Sequence, residues 1–275
     1  MRIDAHHHLW HLARGDYDWL TPRLAAIHRD FTPSDLEPLL HAGGIGRTVL
    51  VQAAPSVAET EFLLDIAADT DWIAGVVGWI DMDAPDALAV LDRLRAHPKF
   101  RGIRPMIQDI AQDDWILSPG LDAIFQALVA WDLSFDALVL PRHLPHLLAR
   151  LAQHPDLRCV INHGAKPNLA GGDLAAWKQD IARIAAETRC FCKLSGLLTE
   201  AGSNPTLETI RPAAEHILAA FGPDRVMFGS DWPVLNLAGT YSGWTAMVEN
   251  ILSPLPDRDR EAVWGRTAAA FYGLA

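Results

Sequence analysis

Residues 47–81 read RTVLVQAAPSVAETEFLLDIAADTDWIAGVVGWID, and this stretch decides the fold. Arg47 to Ala53 is rich in apolar and β-branched residues, and Ile73 to Asp81 has the same character. Between these two runs, Glu59 to Ala67 carries apolar residues at the period of an α-helix. A strand, a helix and a second strand in succession predict two parallel strands joined by a helical crossover.

The same strand and helix unit recurs along the whole chain. Eight β-rich runs are separated by helical stretches: Arg2 to His8, Arg47 to Ala53, Ile73 to Asp81, Arg101 to Met106, Leu133 to Val139, Arg158 to Gly164, Cys190 to Gly196 and Arg225 to Pro233. Thr32-Pro33 and Ser118-Pro119 are typical of helix starts, with Pro in the first turn. Eight such units predict an α/β fold, a (β/α)8 TIM barrel that spans residues 1–275 as a single domain.

An open, doubly wound sheet is the competing architecture. That fold binds dinucleotides through a Gly-x-Gly-x-x-Gly turn directly after a strand. No such motif follows any predicted strand, and Gly43-Gly44-Ile45-Gly46 precedes the second one. The sequence therefore favours the closed barrel.

The charge of the chain argues against nucleic acid as a partner. The formal net charge is −11, and the 23 Lys and Arg residues are scattered, whereas phosphate binding requires clustered cations. No apolar run approaches the roughly 18 residues of a membrane span, and the start Met1-Arg2-Ile3-Asp4 lacks a secretory leader. The three cysteines, including Cys190 and Cys192 on one predicted strand, are expected to be buried thiols. These features predict a cytoplasmic protein without membrane or nucleic-acid partners.

Asp4, His6 and His8 alternate along the first predicted strand. Alternation places all three on one face, so that two imidazoles converge at a strand end. The pattern is weak by itself in a chain with 12 histidines, and a surface His run is the alternative interpretation. A third imidazole, His163, and a carboxylate, Asp231, follow later apolar runs and strengthen the pattern.

Functional side chains of a (β/α)8 barrel lie at the carboxyl ends of its strands. The candidates at such positions are His6 and His8 on the first predicted strand, Arg104 on the fourth, His163 on the sixth, Lys193 on the seventh and Asp231 on the eighth. Closure of the barrel makes the first and eighth strands neighbours, so we expect Asp231 beside the two imidazoles. Imidazoles with a carboxylate suit zinc or a similar divalent ion that keeps one position open for water. The set predicts hydrolysis, with Asp231 taking a proton from the attacking water.

Arg104 and Lys193 bring positive charge to the same end of the predicted barrel. Such cations hold a substrate carboxylate or stabilise an oxyanion as a carbonyl is attacked. The alternative for these two residues is a structural ion pair with Asp4, Asp81 or Asp136.

Aromatic residues near the predicted mouth suit a ring-shaped, polyhydroxylated substrate. Trp19, Trp79 and Trp232 are the candidates for contact with its faces, with core packing as the alternative for each. Lys166 follows His163 in a loop and either reaches a substrate carboxylate or is solvated. Residues 11–31 form a polar and aromatic insertion that is expected to roof the mouth.

Five motifs in this order resemble those of the amidohydrolase superfamily, and more narrowly those of its sugar-lactonase branch. They are Asp4-x-His6-x-His8, Gly102-Ile103-Arg104, His163-Gly164-Ala165-Lys166-Pro167, Lys193-Leu194-Ser195-Gly196 and Gly229-Ser230-Asp231-Trp232-Pro233. That branch includes fuconolactonase-like and rhamnonolactonase-like enzymes and a dicarboxylate lactonase that acts on a pyrone. The resemblance covers nearly the whole chain.

The resemblance implies roles for individual residues. His6, His8 and Asp231 would be the metal-site residues, Asp231 would also accept the proton, and His163 would be a ligand or a hydrogen-bonding partner of the substrate carbonyl. Binuclear members carry a bridging Lys or Glu on strand four and a further His on strand five, whereas this chain has Arg104 and then 133–137, read LSFDA. We therefore expect one divalent ion, zinc by the ligand types, or a metal-free mechanism, and not two ions.

The expected function is hydrolysis of a carboxylic ester bond in a sugar lactone, which opens an aldonolactone to its acid. Other reactions of the superfamily remain as alternatives within the enzyme class: dicarboxylate lactone hydrolysis, decarboxylation and amide hydrolysis. A barrel that binds a sugar acid without turning it over is the alternative outside that class. The expected partner is a small-molecule lactone, and the sequence does not predict the oligomeric state.

Overall fold

A computed structural model describes residues 1–274 of the chain. Eight parallel strands pair in sequential order, as the sequence predicts for a (β/α)8 barrel. The strands are β1 (Arg2–His7), β2 (Ile45–Val51), β3 (Ile73–Gly78), β4 (Phe100–Ile103), β5 (Ser134–Ala137), β6 (Cys159–Ile161), β7 (Phe191–Leu194) and β8 (Val226–Phe228).

Each strand is followed by an α-helix that packs on the outside of the sheet, and two short helices come after the eighth. The helices are α1 (Pro33–Gly43), α2 (Val57–Ala68), α3 (Ala87–Arg95), α4 (Asp122–Ala130), α5 (Leu144–Gln153), α6 (Ala175–Glu187), α7 (Leu207–Phe221), α8 (Tyr241–Leu252), α9 (Asp257–Glu261) and α10 (Thr267–Tyr272). The helix start predicted at Thr32-Pro33 is confirmed: the Asp35 carboxylate accepts hydrogen bonds from the Thr32 amide at 2.9 Å and from the Thr32 hydroxyl at 2.8 Å. At Ser118-Pro119 a short 3₁₀ turn precedes α4.

Alternate strand residues enter two separate apolar layers. Leu50 belongs to the layer between sheet and helices, whereas Val49 and Val51 belong to the barrel interior. Phe271 and Tyr272 of α10 join the interior residues. Since Phe271 packs on the first residue of β7, α10 covers the amino-terminal end of the barrel. The carboxyl-terminal ends of the strands stay free for a site.

The barrel closes through residues that follow β8. The His8 amide donates to the Trp232 carbonyl at 2.7 Å, and the Asp231 amide donates to the His6 carbonyl at 2.7 Å. His7 and Trp232 form an isolated parallel bridge at the same place. Closure therefore lies beyond the end of β8, at the level of the histidines.

Asp4 secures this closure from the outer side of the sheet. Its carboxylate accepts hydrogen bonds from the His6 amide at 3.1 Å, the Ser230 amide at 2.8 Å and the Tyr241 hydroxyl of α8 at 3.0 Å. A register shift in β1 between Asp4 and His7 turns the following imidazoles inward. The prediction that Asp4 shares a face with His6 and His8 is therefore wrong, because simple alternation does not allow for the irregularity.

No helix within residues 1–274 combines the length and hydrophobicity of a membrane-spanning segment. Cys159, Cys190 and Cys192 are free and buried, as expected for packed thiols.

We expect Asp4→Ala to destabilise the barrel at its closure. The free energy of unfolding should fall by about 3 kcal/mol, because each buried donor left without a partner costs about 1–3 kcal/mol. Asp4→Asn keeps an acceptor oxygen for the two amides and should cost about half as much. Urea unfolding followed by circular dichroism measures both variants, with Tyr241→Phe as the control that removes a single donor.

The pKa of Asp4 supplies a second readout. Burial raises it to about 6 from 3.8, although the hydrogen bonds from Ser230, His6 and Tyr241 oppose the rise. The folded chain thus binds this proton more tightly than the unfolded chain, and stability falls as pH rises from about 4 to about 6. The stability difference between the parent and Asp4→Asn should be larger near pH 4 than near pH 7. A difference that grows toward pH 7 contradicts this description.

Candidate active site

A cavity of about 330 Å³ opens at the carboxyl-terminal ends of the strands. His8, Arg104, His163 and Asp231 line it, together with residues of several loops. A larger cavity of about 570 Å³ lies around Met1, at the opposite end of β1, and contains none of the predicted site residues. The chemistry-bearing groups therefore belong to the smaller cavity.

Four donor atoms from three strand ends meet below this cavity. The Nε2 atoms of His6 and His8 are 3.2 Å apart, and the His8 Nε2 lies 3.2 Å from Asp231 Oδ1. The Nε2 atoms of His6 and His163 lie 3.5 Å and 3.7 Å from the same carboxylate oxygen. Ligand atoms of His6, His163 and Asp231 all fall within 4.8 Å of one another. The residues predicted from the sequence thus lie together, and His163 joins His6 and Asp231 in the group whose spacing could hold a metal ion.

Neighbouring groups orient the imidazole rings of His8 and His163. The His8 Nδ1 lies 2.8 Å from the Val51 carbonyl, so Nδ1 carries the proton and Nε2 presents its lone pair toward Asp231. The His163 Nδ1 lies 2.9 Å from the Ser195 hydroxyl. These contacts leave the inward nitrogens available as ligands.

The charge states of the four groups suit a divalent cation. Burial lowers the pKa of His163 to about 3 and lowers the pKa values of His6 and His8, so the rings are neutral near pH 7. Burial acts to raise the pKa of Asp231, but the charged forms of the facing His163 and His8, together with the charge of Arg104, hold it below its usual range. Neutral imidazoles beside an ionised carboxylate are the donors that zinc-like ions prefer. The residues therefore fit a metal site.

Two of the donors occupy backbone conformations that are unusual for side-chain-bearing residues. His163 has φ +55° and Asp231 has φ +58°, and both are in the left-handed region. Such conformations cost free energy and are concentrated at functional sites. Gly196 leaves room for the His163 ring, because a Cβ at Gly196 would lie 2.4 Å from the His163 Nδ1.

Lys193 lies beneath the donors and does not line the cavity. Its ammonium is 2.6 Å from Asp136 Oδ2 and 3.2 Å from the His6 Nδ1, and the Tyr272 hydroxyl donates to the same Asp136 oxygen at 2.7 Å. The ion pair with Asp136 is one of the structural alternatives considered for Lys193. The ammonium can donate to the His6 Nδ1 only when that nitrogen is unprotonated, whereas His6 offers Nε2 as a ligand only when Nδ1 carries the proton. The charge state of Lys193 therefore determines which tautomer of His6 this contact favours.

Arg104 follows β4 and lines the cavity. Its guanidinium donates to the Gln52 carbonyl, and the Gln52 side chain donates to the Arg104 carbonyl at 2.6 Å. The Arg104 Nε is buried without a partner among the described residues. Burial lowers the pKa of Arg104, while the nearby carboxylate of Asp231 opposes this. The side chain thus has a fixed position and spare donors.

The predicted substrate-binding residues divide into two groups. Trp19 and Lys166 line the cavity, and Lys166 also pairs with Glu200 at 3.2 Å. Trp79 lines a separate cavity of about 220 Å³, and its amide and carbonyl are hydrogen-bonded to the Thr60 hydroxyl of α2 at 2.7 and 3.0 Å. Trp232 is 2% exposed and packs edge-on against Phe31, and its carbonyl accepts the hydrogen bond from the His8 amide that closes the barrel. Neither Trp79 nor Trp232 forms part of the cavity wall.

Several other residues that line the cavity are not predicted from the sequence. The polar ones are Gln108, Asp109, Thr199 and Glu200, and the apolar ones are Leu24, Met106, Leu138, Val234 and Leu237. Except for Leu24, they follow the ends of β4, β5, β7 and β8. Position in the loop after a barrel strand was the available signal, but it does not distinguish wall residues from others in the same loops.

This donor set at strand ends agrees with a comparison to known protein families. The family model described as Amidohydrolase matches residues 3–274. The chain belongs to the amidohydrolase family. A relative from Burkholderia ambifaria, an L-fucono-1,5-lactonase, is 48% identical over 99% of this chain and 96% of its own length. A second L-fucono-1,5-lactonase, from Burkholderia multivorans, is 39% identical over 100% of this chain and 96% of its own length.

A solved structure shares the complete barrel of this amidohydrolase. It is an amidohydrolase from Burkholderia multivorans with bound zinc, 39% identical, with full coverage of both chains and a TM-score of 0.94. At this similarity the two chains follow the same path throughout.

We expect Gly196→Ala to perturb His163 in addition to straining its own backbone. Gly196 has φ +65°, so alanine there costs about 1–2 kcal/mol of stability, and its methyl group displaces the imidazole. Affinity for cobalt(II), measured by titration calorimetry, should fall by at least about tenfold. Urea unfolding measures the backbone cost.

Gly44→Ala is the matched control for this substitution. Gly44 also has φ +65°, but a Cβ there meets nothing within 4 Å. The control should lose similar stability and keep its cobalt affinity. Equal cobalt affinities for the two variants would refute the role given to Gly196.

Proposed function

We propose that this amidohydrolase opens a sugar 1,5-lactone to the corresponding acid, and that L-fucono-1,5-lactone or a close analogue is its substrate. The observation that carries the proposal is the ionised Asp231 among three neutral imidazoles, at the base of a cavity that also contains Arg104. The two lactonase relatives support the substrate class. The protein is thus a hydrolase that acts on a carboxylic ester bond.

Asp231 is the proton acceptor in the proposed reaction. Its carboxylate is ionised at neutral pH and faces the cavity, so it can take a proton from a water that attacks the lactone carbonyl. When the ring carbon–oxygen bond breaks, the same proton passes to the departing ring oxygen, which becomes a hydroxyl. The net change is the addition of one water.

We propose that His6, His8, His163 and Asp231 hold one zinc ion. When bound, the ion polarises the lactone carbonyl and lowers the pKa of the attacking water. Zinc is supported by the donor types and by the zinc-bound structure of the relative. Arg104 takes the place where binuclear enzymes have a bridging ligand, so the chain offers donors for a single ion.

Arg104 is proposed to stabilise the oxyanion that forms on the carbonyl oxygen. A guanidinium that is held by the Gln52 carbonyl and pairs with no carboxylate of residues 1–274 is preorganised for such a charge. Lys193 is not one of the residues that line the cavity. We therefore propose that it acts through His6 as a positioning residue.

The cavity walls suit a sugar ring with one apolar substituent. Gln108, Asp109 and the Lys166–Glu200 pair offer hydrogen bonds to hydroxyl groups. The apolar part of the wall, which includes Leu138 and Leu237, suits the methyl group that L-fuconolactone carries in place of a hydroxymethyl group.

Two properties accompany the proposal. We propose that residues 1–275 act as a single domain, since one sheet includes every strand of residues 1–274. We also propose a cytoplasmic location, which three free buried thiols support.

Asp231→Asn should abolish most lactone hydrolysis while the barrel stays folded. We expect kcat to fall by about 10²–10⁴-fold, because the substitution removes a proton acceptor at little change in volume. Acid release from L-fucono-1,5-lactone, measured with a pH indicator after subtraction of spontaneous hydrolysis, gives the rate. Asp81→Asn, at an exposed carboxylate outside the cavity, is the control and should keep the parent rate. Unchanged turnover by Asp231→Asn would refute the proposed role.

Removal of the metal tests the proposed zinc site. We expect one zinc ion per chain by elemental analysis, loss of turnover after chelation, and recovery when zinc is added back. His163→Ala should weaken zinc binding by about 10–100-fold, whereas His41→Ala, an exposed imidazole of α1, should not change it. Full activity of metal-free protein would show that the chain hydrolyses lactones without a metal.

A further inference from the structure

Glu59 is a buried carboxyl group that the proposed reaction does not use. It lies in the first turn of α2 and is 0% exposed. Ser56-Val57-Ala58-Glu59 fits the sequence pattern of a capping box, and the Ser56 hydroxyl accepts from the Glu59 amide at 3.0 Å. The Glu59 carboxyl, however, accepts from the Ala53 amide at 2.8 Å. It therefore fixes the loop between β2 and α2 as well as the helix start.

The opposite side of this loop supports the insertion that follows β1. The Ala53 carbonyl accepts a hydrogen bond from the Trp19 indole at 2.7 Å, and both residues line the catalytic cavity. The Ser56 hydroxyl donates to Asp16 at 3.1 Å. Two side-chain contacts thus connect residues 16–19 of the insertion to the loop that Glu59 holds.

Burial of a carboxyl group at this position requires an explanation. Burial raises the pKa of Glu59 to about 8, against the effects of the Ala53 and Ala54 amides and of Arg104, while Asp16 adds to the rise. The second carboxyl oxygen has no partner among the described residues, and neither has the Tyr17 hydroxyl of the insertion. An apolar residue would fill the space without this cost. The bond to Ala53 is the interaction that only an acceptor at position 59 provides.

We propose that Glu59 is a positioning residue, which holds the insertion over the lactone through Ala53 and Trp19. The inference rests on the proposed function for its kinetic consequence, but its structural part concerns the insertion alone. Glu59 touches neither the cavity nor the donor atoms. It acts on substrate binding through the indole that forms one wall.

The kinetic experiment compares Glu59→Leu with Glu59→Gln. Leucine removes the acceptor, so the KM for L-fucono-1,5-lactone should rise about tenfold while kcat stays within about twofold. Glutamine keeps an oxygen for the Ala53 amide and should restore the parent KM. Glu61→Leu removes an exposed carboxylate from the same helix and is the matched control.

A double substitution shows whether Glu59 acts through Trp19. Trp19→Leu should raise KM by a similar factor, and Glu59→Leu combined with Trp19→Leu should raise it no further. Independent effects, in which the two factors multiply, would overturn the connection through the indole. A fall in kcat with unchanged KM would overturn it as well.

Hydrogen exchange provides a readout that does not depend on turnover. In Glu59→Leu, amides of residues 11–31 should exchange at least about tenfold faster than in the parent, while amides of α6 keep the parent rates. Glu59→Gln and Glu61→Leu should match the parent throughout. Unchanged exchange in 11–31, or faster exchange over the whole barrel, would overturn the proposal.

The two experiments separate failure of the inference from failure of the proposed function. If the parent releases no acid from any lactone, the proposed function fails, and hydrogen exchange alone decides the role of Glu59. If the parent is active but Glu59→Leu resembles it in KM and in exchange, the inference fails and the function stands.

Discussion

The backbone pairing of His6 and His8 with Asp231 and Trp232 is the constraint on which the rest of the structure depends. These hydrogen bonds close the barrel, and the same residues carry three of the four donor atoms. The same hydrogen bonds therefore hold both the fold and the site. The donors stay at fixed distances because the strands that carry them cannot separate without opening the sheet. Asp4 secures the same joint from outside with three hydrogen bonds.

The sequence predicts the strand order and the meeting of the donors because both follow from rules with few exceptions. Periodicity places eight strands, and the barrel brings their carboxyl ends to one side, so we expect His6, His8, His163 and Asp231 to lie close together, as they do. The orientation of Asp4 is not predictable in this way. An irregularity in β1 reverses its face, and no residue in the motif signals where the register shifts.

Contacts between distant segments account for the other differences. Lys193 is charged and lies at a strand end, which suggests a group in the cavity, yet Asp136 and Tyr272 hold it below the donors. Trp79 and Trp232 lie near the predicted mouth in sequence, but Trp79 lines a separate cavity and Trp232 packs against Phe31. Glu59 reads as an ordinary capping residue, and only the path of the loop before it shows that its carboxyl supports Ala53. Such features depend on loops whose course has no local periodicity.

Closure by the segment after β8 also affects how the protein is made. A ribosome synthesises β1 long before it reaches Trp232, so during most of translation one edge of β1 carries unpaired amides and carbonyls. Until Asp231 is synthesised, His6 and His8 of the nascent chain lack the carboxylate that completes the four donor groups. The catalytic centre is therefore assembled late in biosynthesis. A chain whose translation stops before Trp232 has no complete catalytic centre, and its unpaired β1 edge can pair with other chains.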